Sequence, residues 1–134
     1  MQGFNCIMVF DTEYKKLLFC KRTKDPYNGL YNLVGGKIET GELGLNAAYR
    51  ELEEETGIEP SEIRLSHMMD FTYFNQNCYV EIYVGILSST RELMEEAHPL
   101  EWLSTEEDFF DRKRFAGEGN IGHMVEQVRV YGYL

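Results

Sequence analysis

The sequence predicts an α/β domain layered around a mixed β-sheet. Strand-like runs lie on both sides of one strongly helical stretch, a second helical stretch stands near the end, and 43% of the 134 residues are hydrophobic with only 3 prolines. That order of elements specifies layers of sheet and helix, and that composition is globular. A chain of 134 residues has the size of one domain with one continuous core, so a single domain over 1–134 is expected.

Phe4 to Phe10 is dominated by apolar residues and reads as a strand, closed by the polar turn Asp11-Thr12-Glu13. Lys16 to Arg22 reads as a second strand, paired with the first as a hairpin. Asp25 to Gly29 is turn chemistry, because Pro26 fixes one backbone angle and Asn28-Gly29 tolerates left-handed geometry. Leu30 to Val34 is then a short strand running into Gly35-Gly36. From Leu43 to Thr56 good helix formers dominate, Leu45, Ala48 and Leu52 turn one side to the core, and Gly57 is placed as the C-terminal stop.

Ile63 to Phe74 and Cys78 to Leu87 are further strands joined at Asn75-Gln76-Asn77, the second with a half-buried period of two. Leu100 to Leu103 adds a strand, and Ser104 with Glu107 has the form of a capping box opening a short helix. Gly117 to Gly122 breaks the chain, and Met124 to Val130 predicts a last helix packed through Met124, Val125, Val128 and Tyr131. The chain shows no internal repeat, linker or low-complexity stretch.

The first residues have no basic start, and nowhere do roughly 18 apolar residues stand together. Neither export nor membrane insertion is therefore expected. Cys6, Cys20 and Cys78, odd in number and set in apolar surroundings, read as buried reduced thiols, which favours the cytoplasm. A net charge of −10, from 23 acidic and 13 basic residues, argues against nonspecific binding to nucleic acid or anionic membrane. An acidic protein can still handle phosphates where divalent cations mediate the contact; a charge that serves only solubility is the other reading.

On a helix, Glu51, Glu54 and Glu55 share an arc of about 100° beside the apolar stripe. Three like charges at these spacings repel, so either Lys and Arg partners on a solvated surface or a divalent cation must compensate them. Oxygen ligands without His or Cys suit a hard ion, Mg²⁺ or Mn²⁺ ahead of zinc.

Gly36, Glu42, Arg50, Glu51, Leu52, Glu54, Glu55, Gly57 and Ile58 follow a known pattern: Gly, five residues, Glu, seven residues, Arg-Glu-apolar-any-Glu-Glu-any-Gly-apolar. The stretch from Gly35 to Ile58 thereby resembles the Nudix box in full. Chance would bring its seven fixed residues together on the order of once in 10⁸ trials. The flanking order of strands is also similar to that fold, so the resemblance spans nearly the whole chain.

The resemblance implies a Nudix hydrolase: an α/β/α sandwich around a mixed sheet that cleaves nucleoside diphosphates linked to another group, using Mg²⁺ or Mn²⁺. It makes Glu51, Glu54 and Glu55 metal ligands, with Glu51 or Glu55 also taking the proton of the attacking water. It makes the Gly35 carbonyl a further ligand, with Arg50 orienting a carboxylate and Gly36, Glu42 and Gly57 supporting the box. Glu96, six residues before Trp102, stands where MutT-like members carry an additional metal-binding or basic Glu; a solvated pair with Glu95 is the other reading. Lys37, directly after the glycines, and Arg22, in a cluster with Lys21 and Lys24, are candidate phosphate contacts, and solvated loop cations are the alternative for the cluster. Val34 replaces the Pro common in MutT-type members, and their upstream aromatic residue is here Tyr31.

Asn120 resembles the Asn with which MutT-like enzymes read a purine edge, since an amide offers both a donor and an acceptor. A helix cap is the alternative. Tyr27, Phe74 and Phe115 either stack on a base or pack, while His67, His98 and His123 share no ligand spacing and take no site. The function expected first is a MutT-type pyrophosphatase acting on a nucleoside triphosphate, including an oxidised purine such as 8-oxo-dGTP. An ADP-ribose or nucleotide-sugar pyrophosphatase is the alternative, and a non-catalytic nucleotide-binding module is the third. The partner is a small-molecule nucleotide, with no nucleic acid and no membrane, and the chain is a monomer or homodimer.

Overall fold

The computed structural model describes residues 1–96 and 98–132. Strand β1 (Gln2–Phe10) runs parallel to β5 (Cys78–Ile86) over nine register pairs, from Gln2 opposite Cys78 to Phe10 opposite Ile86. β4 (Ser66–Tyr73) adds antiparallel to β5. β2 (Lys16–Lys21) meets β1 at Leu17 and β3 (Tyr31–Asn32) at Cys20 and Lys21 on one edge, and β6 (Leu100–Ser104) on the other. One parallel pair among antiparallel neighbours makes the sheet mixed, as expected.

Successive residues of β1 face opposite ways, so its apolar run builds two cores at once. Ile7 and Val9 pack with Ala48 and Leu52 of α1 (Gly44–Thr56) on one face. Met8 and Phe10 pack with Met124, Val125 and Val128 of α2 (Asn120–Tyr131) on the other. The result is the α/β/α sandwich. Gly57 ends α1 in left-handed geometry at φ 80°, its N–H bonded to the Glu53 carbonyl.

Four local expectations give way to tertiary contacts. The β1–β2 hairpin is narrow because residues 34–38 occupy the β1 edge: Ile7 N–H donates to Val34 O (2.8 Å), Asn5 N–H to Gly36 O (2.8 Å) and Ile38 N–H to Gly3 O (2.9 Å). The expected Leu30–Val34 strand contracts to β3 for the same reason. No helix opens at Ser104, which ends β6 opposite Lys16, and Glu107 pairs with Arg114 instead of capping. α2 starts at Asn120, four residues early, and takes in Gly122, which packs on the Phe110 ring, 2.6 Å from where a Cβ would stand. Tyr131 is exposed, not packed. Among the described residues no helix is long and apolar enough to cross a membrane.

Candidate active site

The site begins with a polar residue inside an apolar strand. Asn5 is 2% exposed on β1, and its Oδ1 accepts a hydrogen bond from Gly36 N–H at 3.0 Å. With the Asn5 N–H to Gly36 O bond, this clamps the glycine pair against the sheet. Gly35 holds φ 150°, and a Cβ there would lie 2.1 Å from the Asn5 carbonyl oxygen. A Cβ at Gly36 would lie 2.3 Å from Glu51 Oε2. One glycine therefore allows the backbone to approach β1, and the other leaves a recess for a carboxylate.

α1 brings its glutamates to this recess unequally. Glu51 and Glu55 side chains are each 16% exposed, whereas Glu54 is 59% exposed. Glu51 covers Gly36, and Glu55 Oε2 accepts the Gly35 N–H at 2.9 Å. Burial, helped by the neighbouring Glu51 charge and opposed by the Gly35 hydrogen bond, pushes the Glu55 carboxyl up to about 7.

Arg50 ties the arrangement together. Its Nε and Nη2 donate to Glu42 at 2.7 and 2.9 Å, its Nη1 to Glu51 at 3.0 Å and Glu54 at 3.2 Å, and Nη2 also to the Lys37 carbonyl at 3.0 Å. The two-pronged contact with Arg50 holds Glu42 at about 2, well below the usual carboxylate range. Arg50 thus offsets charge at Glu42, Glu51 and Glu54, but it donates no hydrogen bond to Glu55.

Glu55 and both glycines line a cavity of about 270 Å³ that also contains Arg22, Asn32 and His98. A buried, proton-holding carboxylate beside a second carboxylate and a bent glycine backbone is an oxygen-rich donor set. It fits a hard divalent ion, with Glu51, Glu55 and the Gly35 carbonyl as holders. Arg22 is anchored through Nε to the Pro26 carbonyl at 2.7 Å. Lys37 is exposed and enters through its backbone carbonyl, and Glu96 is exposed and outside the cavity lining.

The first cavity shares Phe4, Cys6, Asn32 and Val80 with a second of about 270 Å³, where Tyr27, Phe71, Tyr73 and Asn120 meet. Asn120 lies in the first turn of α2 and is not its cap, which is Gly119; its Nδ2 donates to Tyr73 Oη at 2.8 Å. Tyr27 Oη donates to Glu118 at 2.7 Å. Phe115 is buried against Phe19 and Phe109, and Phe74 is 82% exposed. All three cysteines are free, but only Cys20 is buried; Cys6 and Cys78 line the second cavity.

Sequence reading missed Asn5 and His98. A lone amide among Phe4, Cys6 and Ile7 was the available signal for Asn5; His98 had none, because it reaches Glu55 only through the fold. Among the described residues, the three metal-ligand types whose donor atoms fall within 4.8 Å of one another are His67, Asp70 and Glu81, on β4 and β5. An irregularity between His67 and Met69 puts His67 on the face of Asp70, where they pair at 2.5 Å while His67 stacks on Tyr83.

The sequence profile of the NUDIX domain matches residues 1–116. An 8-oxo-dGTP diphosphatase of Escherichia coli is 31% identical over 98 residues, covering 72% of this chain and 75% of the relative. An ADP-ribose pyrophosphatase of Methanocaldococcus jannaschii is 44% identical over 45 residues, which is 34% of this chain and 27% of the relative. The fold of an Ap4A hydrolase of C. elegans superimposes with a TM-score of 0.77 at 15% identity, over 98% of this chain and 97% of that one.

Proposed function

The chain belongs to the NUDIX domain family of pyrophosphohydrolases, and on that premise we propose that it is a MutT-type nucleotide pyrophosphatase. It would convert a nucleoside triphosphate to monophosphate and pyrophosphate with Mg²⁺ or Mn²⁺. The observation that supports this reading is a pair of cavities with Phe4, Cys6, Asn32 and Val80 in common, one lined by Glu55 and the glycine pair, the other aromatic with the Asn120 amide. Phosphates belong in the first and a base in the second. The free cysteines support a reducing compartment, the cytoplasm.

Glu51, Glu55 and the Gly35 carbonyl would hold the divalent ion, with Arg50 orienting Glu51 and Glu54 through its hydrogen bonds. A divalent ion bound there would neutralise the diphosphate and polarise its phosphoryl oxygens. Water attacks phosphorus, the bridging P–O bond breaks, and the pyrophosphate leaves with the bond's electron pair. Glu55 would take the water's proton on a carboxylate lone pair that the ion leaves free. Arg22 and Lys37 contact phosphate, and Asn120 reads the base edge.

Because the folded Glu55 value of about 7 lies above that of an unfolded glutamate, its contribution to stability is present at low pH and is lost as pH rises through about 7. A metal ion competes with the same proton. The stabilisation by Mn²⁺ should grow from pH 6 to pH 8, with affinity weakening about tenfold per unit below pH 7. Thermal melts with graded Mn²⁺ measure this, and a pH-independent affinity would take Glu55 off the metal.

Hydrolysis of ADP-ribose or a nucleotide sugar is the second reading, favoured by the 45-residue match to the M. jannaschii protein. A panel of nucleoside triphosphates, ADP-ribose, nucleotide sugars and dinucleoside polyphosphates decides between them. Triphosphates should give the highest kcat/KM; no turnover of any member would favour a non-catalytic binding module. Asn120→Ala should raise KM about tenfold with kcat within threefold, the signature of a lost base contact. An unchanged KM would remove Asn120 from recognition.

A further inference from the structure

We propose that His67, Asp70 and Glu81 form a second cation site, on the β4 edge of the sheet, that takes a transition ion such as Zn²⁺ through one imidazole nitrogen and two carboxylates. The site shares no residue with the lining of the Glu55 cavity, and it does not depend on the pyrophosphatase reading. A donor atom of each of the three residues lies within 4.8 Å of those of the other two, a spread that one ion can gather. Asp70 and Glu81 are direct partners across β4 and β5, where like charges repel unless a cation stands between them. Among the described residues His67 is the ion-pair partner of Asp70, and neither carboxylate pairs with a Lys or Arg. The pair therefore carries negative charge that the surrounding side chains leave uncompensated.

Contacts behind the three side chains hold them in place. The His67 ring stacks on the buried Tyr83 ring at 4.7 Å, which fixes its plane. Tyr83 Oη donates to Glu81 Oε1 at 2.7 Å, which leaves Oε2 for an ion and supplies the hydrogen-bonded support that metal-ligating carboxylates use. Gly44, the first residue of α1, gives this carboxylate its space, since a Cβ there would lie 2.0 Å from Glu81 Oε1. An ion at Glu81 therefore also braces the start of the helix that carries Glu51 and Glu55. Donor atoms around a tetrahedral zinc stand roughly 3.3 Å apart, whereas His67 Nε2 and Asp70 Oδ1 stand 2.5 Å apart around a hydrogen. The ion takes the place of that hydrogen and spreads the two atoms by roughly 0.8 Å, which both exposed side chains can follow. One nitrogen and two oxygens, with a fourth position open to water, suit zinc and its neighbours; Mg²⁺ prefers oxygen alone.

Titration of the full chain with Zn²⁺, followed through the imidazole nitrogen resonances in NMR, tests the assignment. The His67 ring resonances should shift and saturate with one ion, in the wild type and equally in Glu55→Gln, which removes a carboxylate of the other site. In the Glu55→Gln background, calorimetry should show Zn²⁺ binding weakened at least about tenfold by His67→Gln, by Asp70→Asn and by Glu81→Gln. Tyr83→Phe, which touches no ligand atom, should weaken it about tenfold by releasing Glu81. Binding that survives His67→Gln and Asp70→Asn unchanged would overturn the site. So would small, unsaturated shifts spread over His67, His98 and His123 alike, which mean an adventitious ion only. Should a variant fail to fold, the wild-type spectra decide, because a His67 ring that does not respond to Zn²⁺ refutes the assignment without any substitution.

Discussion

Glu55→Gln should lower kcat by about 10²- to 10⁴-fold without unfolding the protein. The amide is nearly isosteric and keeps an oxygen for the Gly35 N–H, now held at 2.9 Å. It cannot accept the water's proton, and it removes the charge that holds the ion. Glu55 is disfavoured as an anion by its burial, so the metal-free variant should melt at pH 8 no lower than the wild type, while its stabilisation by Mn²⁺ should disappear. Turnover at saturating metal and paired melts measure both effects. A kcat within threefold of the wild type would exclude Glu55 from the chemistry.

Gly35→Ala should destabilise the protein by about 3 kcal/mol, combining backbone strain with overpacking, or roughly 10 °C in Tm for a chain of this size. The added Cβ would meet the Asn5 carbonyl oxygen at 2.1 Å and its carbon at 2.8 Å, both backbone atoms of the central strand. Neither can move without breaking the β1 pairing to residues 34–38, and the Gly35 N–H would leave Glu55. Gly41 is the control, since it also has positive φ, at 81°, but no atom stands within 4 Å of a Cβ there. Gly41→Ala should cost only about 1–2 kcal/mol. Equal losses at the two positions would show that conformation alone, and not contact with Asn5, makes Gly35 necessary.

These effects meet at a site whose parts were unequally legible. α1 was readable because helix period, spacing and stop signal all lie within one continuous stretch, so Leu52 and Glu51 take their faces by local geometry. The helix at Ser104 failed because a capping box is a weak local preference, outweighed once Ser104 pairs in β6 and Glu107 finds Arg114. The start of α2 was hidden by glycines that read as breakers, while Gly122 serves to admit the Phe110 ring.

Alone, the sequence determined the layered α/β class, the acidic helix and the NUDIX spacing, because each is written in intervals of a few residues that periodicity enforces. The tertiary structure decided which glutamates turn inward, that Arg50 binds Glu42, Glu51 and Glu54 together, that Asn5 clamps the glycine pair, and that His98 faces Glu55. The last two of those relations join residues 31 and 43 positions apart in the chain, Asn5 with Gly36 and Glu55 with His98. Only burial and the closing of the sheet create them; no local period encodes such distances.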